Sequence, residues 1–134
     1  MFAEAENKIN NGPTAEAYEA INKVRRRGYG FDVSIPNAAV DLAGLDYTGF
    51  LSEIQDERTR ELAFESLRKS DLVRWGIFLT NMKARLDEAN AHVDFYDLRF
   101  AKRTFTSVSE RDVVWPIPAY EIGLNPNLTQ NTGW

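Results

Sequence analysis

The segment Glu57-Arg58-Thr59-Arg60-Glu61-Leu62-Ala63-Phe64-Glu65, with Asp71-Leu72-Val73-Arg74-Trp75-Gly76 close behind it, constrains the fold most. Its opposite charges stand three or four residues apart: Glu57 with Arg60, Arg58 with Glu61, Glu65 with Lys69. Side chains meet at that spacing only on a helix, where each exposed pair adds a few tenths of a kcal/mol. The pattern predicts a helix capped by Asp46 or Thr48 and running to about Leu67, with Leu51, Ile54 and Leu62 inward and Phe50 and Phe64 widening the stripe. A second helix is predicted over Asp71–Asn90. Leu72, Trp75, Leu79, Met82, Leu86 and Ala89 form its stripe, Ile77 and Phe78 broaden it, and Trp75 is assigned to the core. Gly76 inside this helix costs about 1 kcal/mol relative to Ala, which a close helix–helix approach would explain.

Upstream, Phe2 to Asn10 reads as a helix. Asn10-Asn11-Gly12-Pro13 reads as a turn, and Thr14 as the N-cap of a helix carrying Ala17, Tyr18, Ile21 and Val24 and closed by Gly28. Two helices joined by so short a turn form a helical hairpin. Residues 28–47 are irregular, punctuated by Gly30, Pro36, Asn37 and Gly44, and the alternation of Phe31, Val33 and Ile35 allows a short extended piece. Val93, Phe95, Phe100, Phe105 and Val108 lack a period, so residues 91–112 read as loop with one or two short strands. Pro116, Pro118 and Pro126, among asparagines and a glutamine, exclude a regular helix from the tail. That tail is expected to lie over the helices, anchored by Trp115, Ile117 and Leu128. The fold class is mainly α, in one domain spanning residues 1–134.

Several chemistries are excluded. The chain has no cysteine, so it has no disulfide, thiolate zinc site or cysteine nucleophile. A net charge of −4 with no basic patch argues against nucleic acid. Arg25, Arg26 and Arg27 are the one basic cluster, and they stand where cations complement a helix C-terminus. No apolar stretch is long enough to span a bilayer, and Met1-Phe2-Ala3-Glu4-Ala5-Glu6 is not an export signal; the chain as given reads as soluble. Glu57, Glu61 and Glu65 share one helix face, whereas glycosidase carboxylates flank a sugar from opposing sides; they read as a solvated face or an ion-pair network. His92, the lone histidine, stands near Asp94 and Asp97 but has no second His or Cys to complete a metal site. Ser107 and Ser109 lack a nucleophile-elbow context, and no glycine-rich phosphate loop is present. No catalytic residue, metal ligand or cofactor is assigned. Aromatic rings can stack on the apolar faces of sugars. With Trp75 and Trp115 assigned to the core, Tyr29, Tyr47, Tyr96 and Trp134 remain as platforms.

Three groups of residues together resemble the C-terminal part of the SusD/RagB family of bacterial outer-membrane nutrient-binding lipoproteins. The first runs from Phe2-Ala3-Glu4-Ala5 through Pro13-Thr14-Ala15-Glu16-Ala17 to Ile21-Asn22-Lys23-Val24-Arg25. The second is Glu57–Glu65 with Asp71–Gly76. The third is Trp115-Pro116-Ile117-Pro118, Glu121-Ile122 and Asn125–Asn131. The sequence departs from the family pattern after Glu65, where Ser66, Leu67, Arg68, Lys69 and Ser70 replace a Gly-His-Arg and its aromatics. The resemblance implies tetratricopeptide-like helical hairpins with long irregular loops and an extended C-terminal tail, in a fragment of a longer protein. It also implies non-catalytic binding of a glycan or other nutrient at the cell surface, attachment to the outer membrane through a lipid anchor this chain lacks, and delivery to a SusC-like TonB-dependent transporter. Glu57, Arg58, Glu61, Arg74 and Trp75 would then tie helices together. Family ligand contacts vary with the nutrient, so none is carried over and the ligand-binding residues stay unknown. In a bacterial chain the Asn127-Leu128-Thr129 sequon carries no glycan. A free-standing helical protein-interaction module is the alternative, and a carbohydrate-active enzyme a distant third.

Overall fold

The computed structural model describes residues 1–92 and 95–134, apart from the side chains of residues 95–97. All regular structure among them is helical, as seven α-helices and one 3-10 turn. The chain forms two compact units, Met1–Arg68 and Lys69–Trp134.

In the first unit, α1 (Phe2–Ile9) and α2 (Ala15–Gly28) form the predicted hairpin, and α3 (Tyr47–Glu61) packs against both. Asn11 makes the turn at φ 52°, a left-handed conformation Asn tolerates better than most residues. The Thr14 side chain accepts from the Ala17 amide at 3.1 Å, an N-cap worth about 1 kcal/mol. Asp46, one of the two predicted caps, does the same for Gly49 at 2.7 Å. Ala3, Ala17, Ile21, Phe50 and Ile54 form the core, with Tyr18 edge-on to Phe50 at 4.8 Å between ring centroids.

Residues 29–46 contain no strand. They are held along α2 by polar side chains one helical turn apart. The Tyr18 hydroxyl accepts from the Leu45 amide at 2.6 Å and donates to the Leu45 carbonyl at 3.1 Å. Asn22 likewise accepts from the Leu42 amide and donates to its carbonyl, at 2.8 and 3.1 Å. Arg25 donates to the Val40 carbonyl at 2.7 Å. Arg26, only 2% exposed, forms a two-pronged bond with Asp41, at 2.8 and 2.5 Å, and donates to the Val33 carbonyl. The Arg26 guanidinium holds the Asp41 carboxyl below the usual carboxylate range; burial opposes this, and the Asn37 amide reinforces it. The arginine cluster therefore does more than complement a helix dipole: Arg26 is the buried anchor of a loop.

The third predicted helix ends earlier than expected. Leu62 caps it, and Phe64 and Ser66 adopt φ of 66° and 61°, which a right-handed helix cannot contain. Phe64 is fully exposed, not part of the stripe, and Glu65 lies outside the helix. The predicted helix over Asp71–Asn90 is two helices, α4 (Arg68–Arg74) and α5 (Phe78–Ala91). Gly76 separates them at φ 71°. Its amide bonds the Val73 carbonyl and the Ile77 amide bonds the Leu72 carbonyl, the pairing of a glycine-terminated helix. A Cβ on Gly76 would meet nothing within 4 Å, so backbone conformation, not close helix approach, is its reason. Trp75 is half-buried rather than core; Leu72, Phe78 and Ala89 are the buried apolar residues of this unit among the described ones.

Residues 95–107, read from sequence as loop and strand, form α6 (Phe95–Ser107), which packs on α5. The part of that reading that falls on Val93 and Asp94 lies outside the described residues. A 3-10 turn (Glu110–Val113) follows, and even the tail contains a short helix, α7 (Ala119–Leu124), between Pro118 and Asn125. The tail is anchored by polar groups more than by its apolar ones. Gln130 accepts from the Ile117 amide at 2.8 Å and donates to the Ile117 carbonyl at 2.9 Å. Asn131 donates to the Trp115 carbonyl, and the Trp134 indole to those of Arg111 and Val114. Ile117 is half-buried and Leu128 is exposed. Trp115, expected in the core, is 73% exposed, with the Lys69 ammonium 3.9 Å from its ring centre.

Candidate functional site

Chemistry-bearing residues of the first unit converge where the C-terminal ends of α2 and α3 meet. The last turn of α2 carries Arg25 and Arg27; the last two turns of α3 carry Glu57, Arg58, Arg60 and Glu61. Arg25 donates to Glu57 at 3.1 Å, and Arg60 donates to the same carboxylate oxygen at 2.8 Å. Arg27 pairs with Glu61, and Glu53 stands 3.8 Å from Arg25. Glu57 is largely sheltered, whereas Arg27, Arg60 and Glu61 are open to solvent. The Glu57 bond chiefly raises the Arg60 guanidinium above its ordinary value, against partial desolvation and with lesser help from the charges of Glu57 and Asp56.

The charge spacing predicted the bond of Glu57 with Arg60; the pairs of Glu57 and Glu61 with arginines of α2 reach between helices and were not among those it predicted. Glu65 is not part of that face. The Glu57 and Glu61 carboxylates lie on one helix and are engaged by arginines, unlike glycosidase carboxylates, which flank a sugar from opposing sides.

Tyr29 caps α2, and its amide bonds the Arg25 carbonyl at 2.9 Å. Its ring is 60% exposed, with the Arg25 guanidinium 6.0 Å from the ring centre. The tyrosine therefore stands beside the Arg25–Glu57–Arg60 chain. Phe31, Val33 and Ile35 follow, all exposed, on a loop fixed from below by Arg26. Glu57 and Glu61 also line an open groove of about 160 Å³, together with Ile21, Val24, Ile54 and Leu62.

The other sequence candidates fall elsewhere. Tyr47 is half-buried, and its carbonyl accepts from Asn7 at 3.0 Å. Trp134 has its indole N–H bonded and the Arg111 guanidinium 4.6 Å from its ring centre. The Tyr96 side chain and the Asp94 and Asp97 carboxylates lie outside the described side chains. His92 caps α5 at the surface, and no group of three or more His, Asp or Glu suited to a metal ion occurs among the described residues. Ser109 shares a capping box with Asp112, so its hydroxyl serves the backbone. The exposed rings of Trp115 and Tyr120 were missed. Flanking prolines make Trp115 look like a core anchor, and Tyr120 sits on a helix that the same prolines seemed to forbid.

A helical hairpin followed by a long connection that side chains of α2 pin in place defines a helical scaffold. The comparisons identify its family. The chain matches the SusD family over residues 1–134 and belongs to that family. It is 38% identical over 132 residues to a SusD-like protein of Formosa agariphila, covering 98% of this chain and 21% of that protein. It is 35% identical over 82 residues to the starch-binding protein SusD of Bacteroides thetaiotaomicron, covering 61% of this chain and 13% of that one. The crystal structure of a SusD homologue from Bacteroides thetaiotaomicron superposes with a TM-score of 0.84 at 37% identity, covering 99% of this chain and 25% of that one. The fold is thus the tetratricopeptide-like helical architecture of SusD homologues, and the chain spans a quarter or less of the length of these relatives.

Proposed function

We propose that this chain serves non-catalytic capture of a nutrient glycan at the bacterial outer-membrane surface, as the C-terminal part of a longer SusD-like protein. In this reading a lipid anchor holds the protein to the membrane, and a SusC-like TonB-dependent transporter receives the ligand. The observation that carries the reading is the family match along the whole chain, with a relative named for starch binding. The arginine-paired state of Glu57 and Glu61 supports binding without turnover.

Electrophoresis in gels containing amylopectin, xylan or alginate tests this, combined with an assay for newly formed reducing ends. Retardation by at least one polysaccharide with no reducing ends released is the expected result; mobility unchanged in all of them, or steady release of sugar, would refute it. A protein-interaction module is the second reading, favoured by the exposed Phe31, Val33 and Ile35. Binding to a protein partner with no glycan retention would select it.

A further inference from the structure

We propose that the meeting point of the α2 and α3 C-termini is a saccharide subsite: the Tyr29 ring stacks on the apolar face of a pyranose, and the solvent-open Arg27, Glu61 and Arg60 of the Arg27–Glu61 and Arg60–Glu57 pairs bond its hydroxyls. The inference rests on the glycan-binding reading and adds a place to it.

A pyranose has an apolar C–H face and a rim of hydroxyls that both donate and accept. Recognition therefore needs an exposed ring beside fixed donors and acceptors. Among the described side chains, Tyr29 is the most exposed of the sequence-predicted platforms, and it stands beside the Arg25–Glu57–Arg60 chain. Its neighbours offer both kinds of group. A guanidinium has five N–H donors and a carboxylate about four acceptor positions, so one bond within each pair leaves capacity for a ligand. These pairs are mutually neutralised, which suits a neutral hydroxylated ligand better than an anion.

The site is preorganised. The Tyr29 main chain is fixed by the hydrogen bond from its amide to the Arg25 carbonyl. Gly30 and Phe31 are fixed by bonds to the carbonyls of Arg27 and Arg26, at 3.1 and 2.8 Å. Arg26 itself is buried and bonded to Asp41. Binding at such a surface orders little that is not already ordered, which is how a small contact yields useful affinity. The adjacent groove over Ile21, Val24, Ile54 and Leu62, at about 160 Å³, is smaller than pockets for drug-sized ligands. It suits a single neighbouring sugar ring or substituent, not a buried chain.

Isothermal titration with maltoheptaose, cellohexaose and xylohexaose tests the subsite. Tyr29→Ala should weaken binding of whichever oligosaccharide the parent chain binds by about tenfold, the size expected when a central aromatic contact is removed. Tyr29→Phe, which keeps the ring, should stay within about twofold. Tyr120→Ala, an exposed tyrosine in the second unit, should bind as the parent does. Because Tyr29 is exposed, its Ala variant should melt at the parent temperature, so lost affinity would not reflect unfolding. If the parent binds an oligosaccharide and Tyr29→Ala binds it equally well, or Tyr120→Ala loses as much, the subsite is refuted while the glycan-binding reading stands. If the parent binds none of the three and no gel polysaccharide either, that reading fails and the subsite with it.

Discussion

Asn22→Ala removes one tooth of the zipper that holds residues 29–46 on α2. Asn22 is 5% exposed and makes two bonds to a single residue: its side chain accepts from the Leu42 amide and donates to the Leu42 carbonyl. Each such bond contributes roughly 1 kcal/mol net, and more where the abandoned group stays buried. Leu42 is only half-buried, so water can reach its backbone and the lower figure applies to both bonds. The loss is then about 2 kcal/mol, or roughly 30-fold in the local opening equilibrium. Hydrogen exchange at the Leu42 amide reads that opening directly. The expected result is exchange about 30-fold faster at Leu42, with smaller effects at Val40 and Leu45, which Arg25 and Tyr18 hold independently. Unchanged exchange at Leu42 would refute the claim that side chains of α2 define the path of the loop.

Three further outcomes follow from the geometry. The Asp41 carboxyl is depressed in the folded chain, so its contribution is complete above the unfolded value of about 3.9 and is lost as pH falls through the folded value; the protection of the Leu42 amide, relative to its intrinsic exchange rate at each pH, should therefore fall in acid, and Asp41→Asn should abolish that dependence. Gly76→Ala finds open space for its Cβ but forces an L-residue to φ 71°, which should lower the stability of the second unit by about 1–2 kcal/mol in urea unfolding. Gly133→Ala meets both obstacles, a φ of 90° and a new Cβ 2.8 Å from that of Arg111, and should release the Trp134 indole, seen as a red shift of its fluorescence.

The first hairpin was legible because its signals are local: a turn of Asn, Gly and Pro, a threonine cap and an apolar stripe. The ion pairs of Glu57 were legible in part, since spacing of three shows the bond to Arg60 but cannot reveal Arg25 on another helix. The path of residues 29–46 was not read, although its cause is visible in retrospect. Tyr18, Asn22 and Arg26 stand four apart on α2, and polar residues so spaced usually face water, not a loop. Gly76 was misread because a glycine inside an apolar stripe fits both a close contact and a helix end, and only φ separates them. The end of α3 at Glu61 has no stop signal in Leu62-Ala63-Phe64. At Trp115 and α7 the prolines misled, because Pro118 also serves as the N-cap of a helix.

The most direct test of the whole account is an amide NMR titration of the ¹⁵N-labelled chain with the oligosaccharide that it binds. The account predicts shifts concentrated in residues 25–31 and 57–61, with the substrate recovered unaltered. Shifts confined to other residues, none at saturating ligand, or conversion of the oligosaccharide during the titration would contradict it.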